Sequence, residues 1–123
     1  MIRWTETELA AKGRTDKPER KVPAWASIPM REDASEGDFQ ARVLQLAKAT
    51  GWSHYHTHDS RKSPAGFPDL VLWRDRVMFR ELKTNTGTAT PAQLETLFAL
   101  DGAGADARVW RPKMWEAIVE ELT

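Results

Sequence analysis

Between Gly66 and Lys83 the chain carries two carboxylates and an ammonium whose spacing suits chemistry on a phosphate: Asp69, within Gly66-Phe67-Pro68-Asp69, and Glu81 and Lys83, within Glu81-Leu82-Lys83. Two apolar runs, Leu70-Val71-Leu72-Trp73 and Val77-Met78-Phe79, lie between them and are joined by Arg74-Asp75-Arg76. Folded back on that polar tip, the runs form a hairpin in which Trp73 faces Val77, Val71 faces Phe79 and Asp69 faces Glu81. Side chains directly opposed on one face lie roughly 5 Å apart, where like charges repel unless something cationic lies between them. A hard divalent cation with oxygen ligands is the natural neutraliser. Strand alternation places Lys83 beside Glu81 and turns Leu82 away, leaving the Leu82 carbonyl near the cation.

The elements that position these groups can be read from pattern. Ser35 is an N-cap with Asp38 at the capping-box position, Phe39, Val43, Leu46 and Ala47 form one apolar stripe, and Gly51 stops the helix. Glu36 falls in the first turn, where the helix dipole favours a carboxylate whatever its function. Residues 52–58, rich in aromatics, read as a strand with His54, His56 and His58 on one face, followed by a polar loop through Ala65. The hairpin strands are apolar on both faces, which predicts central strands covered on both sides. After a small-residue loop, in which Gly87 is expected to allow an unusual backbone conformation, Thr90-Pro91-Ala92-Gln93 reads as N-cap, N1 proline and capping-box glutamine. Leu94, Leu97 and Phe98 are expected to face inward, and Gly102 to end that helix. A strand over residues 107–110 follows, then a closing helix from Pro112 with Trp115, Ile118, Val119 and Leu122 against the body.

Pro68-Asp69 followed by Glu81-Leu82-Lys83 resembles the motif of the PD-(D/E)xK phosphodiesterases, and the flanks resemble the VRR-NUC branch of that superfamily. Those flanks are Gly66-Phe67-Pro68-Asp69 after a Ser/Arg/Lys-rich stretch, Ser35-Glu36 with Gln40 on an earlier helix, and Thr90-Pro91-Ala92-Gln93 opening a later one. The bare acid pattern is weak; four ordered elements at family-like spacing are much stronger. The resemblance implies a restriction-endonuclease-like α/β core, with a mixed central sheet of about four strands flanked by helices. It implies a DNA endonuclease using Mg²⁺ or Mn²⁺ and leaving 5′-phosphate and 3′-hydroxyl ends, with possible preference for branched or junction DNA. Asp69, Glu81, the Leu82 carbonyl and Glu36 are then the metal ligands, Lys83 orients or activates water, and Gln93 stands close to the active site. The family's short stand-alone members make a homodimer plausible, and a nuclease of this kind suits a bacterial virus.

Composition narrows the setting. The chain of 123 residues suits one domain over residues 35–123, preceded by an arm or linker over residues 1–34, where Trp4 and Trp25 argue that part of the arm packs on the body or on a second subunit, with a floppy tail as the alternative. A short helix from Glu6 to Lys12 is the arm's one regular element. There is no cysteine, which excludes a disulfide scaffold and thiolate zinc sites. Without an apolar run long enough to span a membrane or a leader-like N-terminus, the expected setting is cytoplasmic, that of the host for a viral protein. Eighteen basic residues balance eighteen acidic ones, so DNA contact must rest on local clusters. Candidates are His56 and His58, the loop residues Ser60, Arg61, Lys62 and Ser63, and Arg74, Arg76 and Arg80 of the hairpin. Two other function classes compete: a module that binds DNA structure without cutting it, and a zinc hydrolase built on the histidine strand.

Overall fold

The computed structural model describes Thr5, Glu6, residues 22–57 and residues 65–123. The order of elements is helix α1 (Glu36–Ala49), strands β1 (Ser53–His56), β2 (Leu70–Trp73) and β3 (Val77–Leu82), helix α2 (Pro91–Gly102), strand β4 (Asp106–Trp110) and helix α3 (Trp115–Leu122). Short 3₁₀ turns at Ala24–Ser27 and Pro112–Met114 precede α1 and α3. The strands form one mixed sheet in the order β1-β2-β3-β4, antiparallel at the first two pairings and parallel at the third. Among the described residues, no helix is long and apolar enough to cross a membrane.

Local chemistry sets the helix starts. The Ser35 hydroxyl accepts from the Asp38 amide at 3.1 Å, satisfying one of the amides that a helix N-terminus leaves unpaired. Thr90 and Gln93 form the full reciprocal capping box, with Pro91 preset for the first turn. The predicted helix from Pro112 is instead a 3₁₀ turn, and the α-helix begins at Trp115.

One sheet face carries the core. Leu70, Leu72, Met78, Leu82 and Trp110 point to α1 and α3, meeting Phe39, Val43, Leu46, Ala47, Trp115, Ile118 and Leu122. The other face is only partly covered, so the expectation of strands buried on both sides is corrected. Val71 and Phe79 are half-buried, while Trp73 and Val77 are 42% and 51% exposed. Among the described elements α2 lies against this face, chiefly along β4. Of the three residues expected to face inward from α2, Leu97 alone is buried; Leu94 and Phe98 are exposed, the latter at 74%.

Part of the N-terminal arm belongs to this packing. Trp25 stacks on Trp115, whose indole N–H donates to the Ala26 carbonyl at 2.8 Å. Arg42 from α1 lies over both rings and donates to the carbonyls of Trp25 and Ile28, so a cation–π contact and two charge-assisted bonds hold the segment down. Trp4 and most of the Glu6 to Lys12 helix expected in the arm lie outside the described residues.

The hairpin arginines do not grip a ligand. Arg74 spans two helix ends, donating to Thr50, Leu122 and Thr123 carbonyls, and Arg76 donates to the Glu121 carbonyl and pairs with Asp106. Arg80 is fully buried, paired with Asp106 at 2.9 Å and Glu121 at 3.2 Å. Arg74 and Arg76 also flank the tip of the hairpin, five residues along the strands from Asp69 and Glu81 respectively, or roughly 17 Å. Burial and its two acids keep Arg80 from phosphate, while Arg74 and Arg76 are committed to carbonyls and Asp106 at the hairpin tip.

Candidate active site

The hairpin register pairs Leu70 with Arg80 and Trp73 with Val77, so the next pair toward the open end is Asp69 and Glu81. At that pair the backbone ladder gives way to carboxylates. The Asp69 amide donates to Glu81 Oε2 at 3.2 Å, and the Leu82 amide donates to Asp69 Oδ2 at 2.9 Å. Each acid thus replaces the carbonyl that a continuing ladder would supply, and the two are crossed in the notch where the strands part. Thr57, just past β1, fixes the other side of the dipeptide: its amide donates to the Asp69 carbonyl and its hydroxyl to the Pro68 carbonyl.

Glu81 is nearly inaccessible at 1% and is held from three sides. Lys83 Nζ lies 3.3 Å from Oε1, and the Gln93 side-chain amide donates to the same oxygen at 2.8 Å. Gln93 therefore caps α2 with its carbonyl oxygen and holds Glu81 with its nitrogen, so the cap and the Glu81 contact coexist in one side chain. Burial, reinforced by the charge of Asp69 and opposed by Lys83, pushes the Glu81 carboxyl from 4.5 up to about 7. A folded-state carboxyl that keeps its proton to higher pH than in the unfolded chain loses stabilisation as pH rises. Between about 4.5 and about 7 the folded chain binds the extra proton, so stability is expected to fall through that window by about 3 kcal/mol and then level off. Glu81→Gln should abolish this component and be the more stable protein at about pH 8, by chemical denaturation in EDTA. Parallel pH profiles for the two proteins would refute it.

A close backbone contact aligns the Pro68-Asp69 dipeptide with α2. Gly66 has φ +86°, and a Cβ there would come 2.3 Å from the Ala92 carbonyl oxygen. Phe67 then packs edge-on against Phe79, with centroids 6.2 Å apart. Gly66→Ala is expected to cost about 2 to 3 kcal/mol through strain and overpacking. A unchanged urea midpoint in that variant would sink the expectation.

The loop after Lys83 is pinned at several points. Lys83 donates its amide to the Trp110 carbonyl at 3.1 Å, and Asn85 bridges the Glu32 carbonyl and the Lys113 amide. Arg111 Nη1 donates to the carbonyls of Thr84 and Gly87, each at 2.6 Å. Gly87 does not have the unusual backbone expected of it, since its φ is not positive. It is instead needed for closeness: its amide donates to the Thr84 hydroxyl at 2.9 Å, and an added Cβ would meet that oxygen at 2.9 Å.

Of the remaining sequence candidates, the described ones, Glu36 and His56, do not join the acid pair. Glu36 is exposed at the start of α1, which packs on the opposite sheet face, and no hydrogen bond or ion pair joins it to Asp69 or Glu81. Among the described residues no group of three His, Cys, Asp or Glu side chains could hold a metal ion. His54 and His56 pair with Leu72 and Leu70, which places them on the face opposite Asp69. His58, Ser60, Arg61, Lys62 and Ser63 lie outside the described residues.

Two opposed carboxylates beside a lysine, with a glutamine from the following helix on the glutamate, match the pattern that the sequence had suggested. Residues 7–114 match the VRR-NUC domain. The chain belongs to the VRR-NUC family. That is a nuclease family of the PD-(D/E)xK superfamily, and the mixed four-stranded sheet with its helices is the restriction-endonuclease-like core expected of it. A solved VRR_NUC domain superimposes with TM-score 0.59 at 23% identity, over 71% of this chain and 97% of that one. A second VRR_NUC domain protein gives TM-score 0.59 at 22% identity, over 74% and 92%. Hjc, a Holliday junction resolvase from Archaeoglobus fulgidus, gives 0.44 at 22% identity, over 62% and 63%. No match was found among curated proteins.

What sequence reasoning missed in this VRR-NUC domain is Arg111. A lone arginine after a short strand carries no signal, and only the fold sets it beside the loop that follows Lys83.

Proposed function

We propose that this protein is a metal-dependent endonuclease that hydrolyses DNA phosphodiester bonds, including those of branched or junction DNA, and leaves 5′-phosphate and 3′-hydroxyl ends. The observation that carries the reading is the crossed Asp69–Glu81 pair with Lys83 on Glu81. The donor set fits Mg²⁺ or Mn²⁺. It offers two hard carboxylates and the Leu82 carbonyl, and Asp69 Oδ1 takes no hydrogen bond among the described residues. So few protein ligands suit an ion that keeps several waters and shares substrate phosphate oxygens. Glu36, standing outside the pair, is left out of this ligand set.

A divalent cation bound there supplies Lewis acidity toward a phosphate oxygen and a lowered pKa for water. The residues of the chain do the rest. Gln93 and the Asp69 amide fix the orientation of Glu81, while the Leu82 amide fixes Asp69, so neither carboxylate must reorganise when charge develops. Lys83, 14% exposed and anchored by Glu81, offers its remaining N–H donors to the attacking water and to the phosphoryl oxygens. Two copies would bring two such sites to opposite strands. Support for pairing comes from Tyr55, Trp73 and Val77, exposed apolar residues on the sheet face that carries Asp69.

The test is incubation of end-labelled linear, nicked, flapped and four-way-junction DNA with the protein in Mg²⁺, in Mn²⁺ and in EDTA. Cleavage in either metal and none in EDTA is expected. Equal cleavage in EDTA would remove the metal, and no cleavage of any substrate would remove the activity. Saturating Mg²⁺ or Mn²⁺ should also cancel the fall in stability between about pH 4.5 and about pH 7 that Glu81 causes.

A further inference from the structure

With Arg74 and Arg76 at the hairpin tip and Arg80 buried on the opposite sheet face against Asp106 and Glu121, the nucleic-acid backbone near the notch needs another source of positive charge among the described residues. Arg111 meets that need. In the parallel β3–β4 pairing Leu82 stands opposite Trp110, and Arg111 continues in extended conformation with φ −130° and ψ 153°. The next pair in that register is Lys83 and Arg111. Alternation then puts Arg111 on the face that carries Asp69, Glu81 and Lys83, with adjacent strands about 4.8 Å apart.

The guanidinium is held at one corner only. Nη1 spends its hydrogens on the Thr84 and Gly87 carbonyls. Nε and Nη2 make no hydrogen bond among the described residues, and no described carboxylate pairs with Arg111, in contrast to Arg80, Arg76 and Arg108. Arg111 is half-buried and its loop presents exposed Thr86 and Thr88. A planar cation fixed by backbone carbonyls, uncompensated by an acid and with one N–H edge unused is suited to a tetrahedral anion.

We propose that Arg111 binds a backbone phosphate of the substrate next to the scissile one, and that its clamp on Thr84 and Gly87 sets the loop as the wall along which the cut strand runs. The proposal rests on the nuclease reading for which phosphate is scissile, but not for the phosphate contact itself.

Two measurements test it, both with the full chain. In Ca²⁺, to hold DNA uncut, the salt dependence of binding to a labelled duplex or junction is followed by anisotropy. Arg111→Ala should lower affinity about tenfold and reduce the slope of log K against log salt by about 1. Arg111→Gln, whose amide can still donate to the two carbonyls, should resemble Arg111→Ala if phosphate is the partner, and wild type if the loop clamp is the whole role. Second, one neutral methylphosphonate is moved along the strand. A linkage beside the cut should weaken wild-type binding and leave Arg111→Ala indifferent. Wild-type cleavage with an unchanged salt slope in both variants and the same methylphosphonate profile would overturn the subsite and spare the nuclease. DNA binding with an Arg111-dependent slope but no cleavage would do the reverse. Wild-type protein that binds no DNA would refute both.

Discussion

Lys83→Ala is expected to lose cleavage by about 10² to 10³-fold while still binding DNA in Ca²⁺. That range is the usual consequence of removing one preorganised donor aimed at developing charge. Lys83 is the ammonium seen at the notch, and no other described side chain that contacts Glu81 carries a positive charge. Asp69→Ala should give a comparable loss by a different route, since it removes a proposed metal ligand and leaves the Leu82 amide without its acceptor. The check is single-turnover cleavage with circular dichroism to establish folding. Both variants folded and turning over at the wild-type rate would end the assignment of the site.

Arg80 is expected to show the largest effect on stability. It is fully buried, donates to the Phe79 and Asp106 carbonyls, pairs with Asp106 and Glu121 and lies over Trp110 with 4.9 Å to the ring centroid. Burial pushes its guanidinium pKa down and the two acids oppose that, so the charge is stable only in this company. Arg80→Ala removes the stem as well as the charge and should cost about 3 to 5 kcal/mol. Arg80→Met keeps most of the volume, and Arg76 and Arg108 remain to pair Asp106 and Glu121, so it should cost about 2 kcal/mol less than alanine. Urea midpoints at constant slope would measure both. The methionine variant, once folded, should cut DNA normally. A tenfold rise in KM would instead restore Arg80 to the DNA-contacting role that its sequence context suggested.

The difference between Arg80 and Arg111 shows where sequence reasoning stops. Each is an arginine that follows an aromatic residue, and one-dimensional context gave Arg80 the better claim because it lies within the hairpin of the motif. The tertiary structure reverses this. Glu121 arrives from the last helix and Asp106 from β4 to neutralise Arg80, while Arg111 meets carbonyls and no described acid. Gly87 and Gly66 differ in the same way: only the approach of Thr84 and of Ala92 shows which glycine is needed for space alone and which for space and a positive φ.

By itself the sequence determined whatever depends on near neighbours. A short tip between two apolar runs leaves one register that buries Leu70, Leu72, Met78 and Leu82 together, and that register places Asp69 against Glu81. Caps at Ser35 and Thr90 likewise follow from orphan amides within one turn. Only the tertiary structure decided which sheet face stays open, where each arginine finds its counter-charge, and that Glu36 stays apart from the acid pair. Those outcomes depend on long-range packing of α1, α2 and α3, and Coulomb and desolvation energies change with distance and burial that no local pattern encodes.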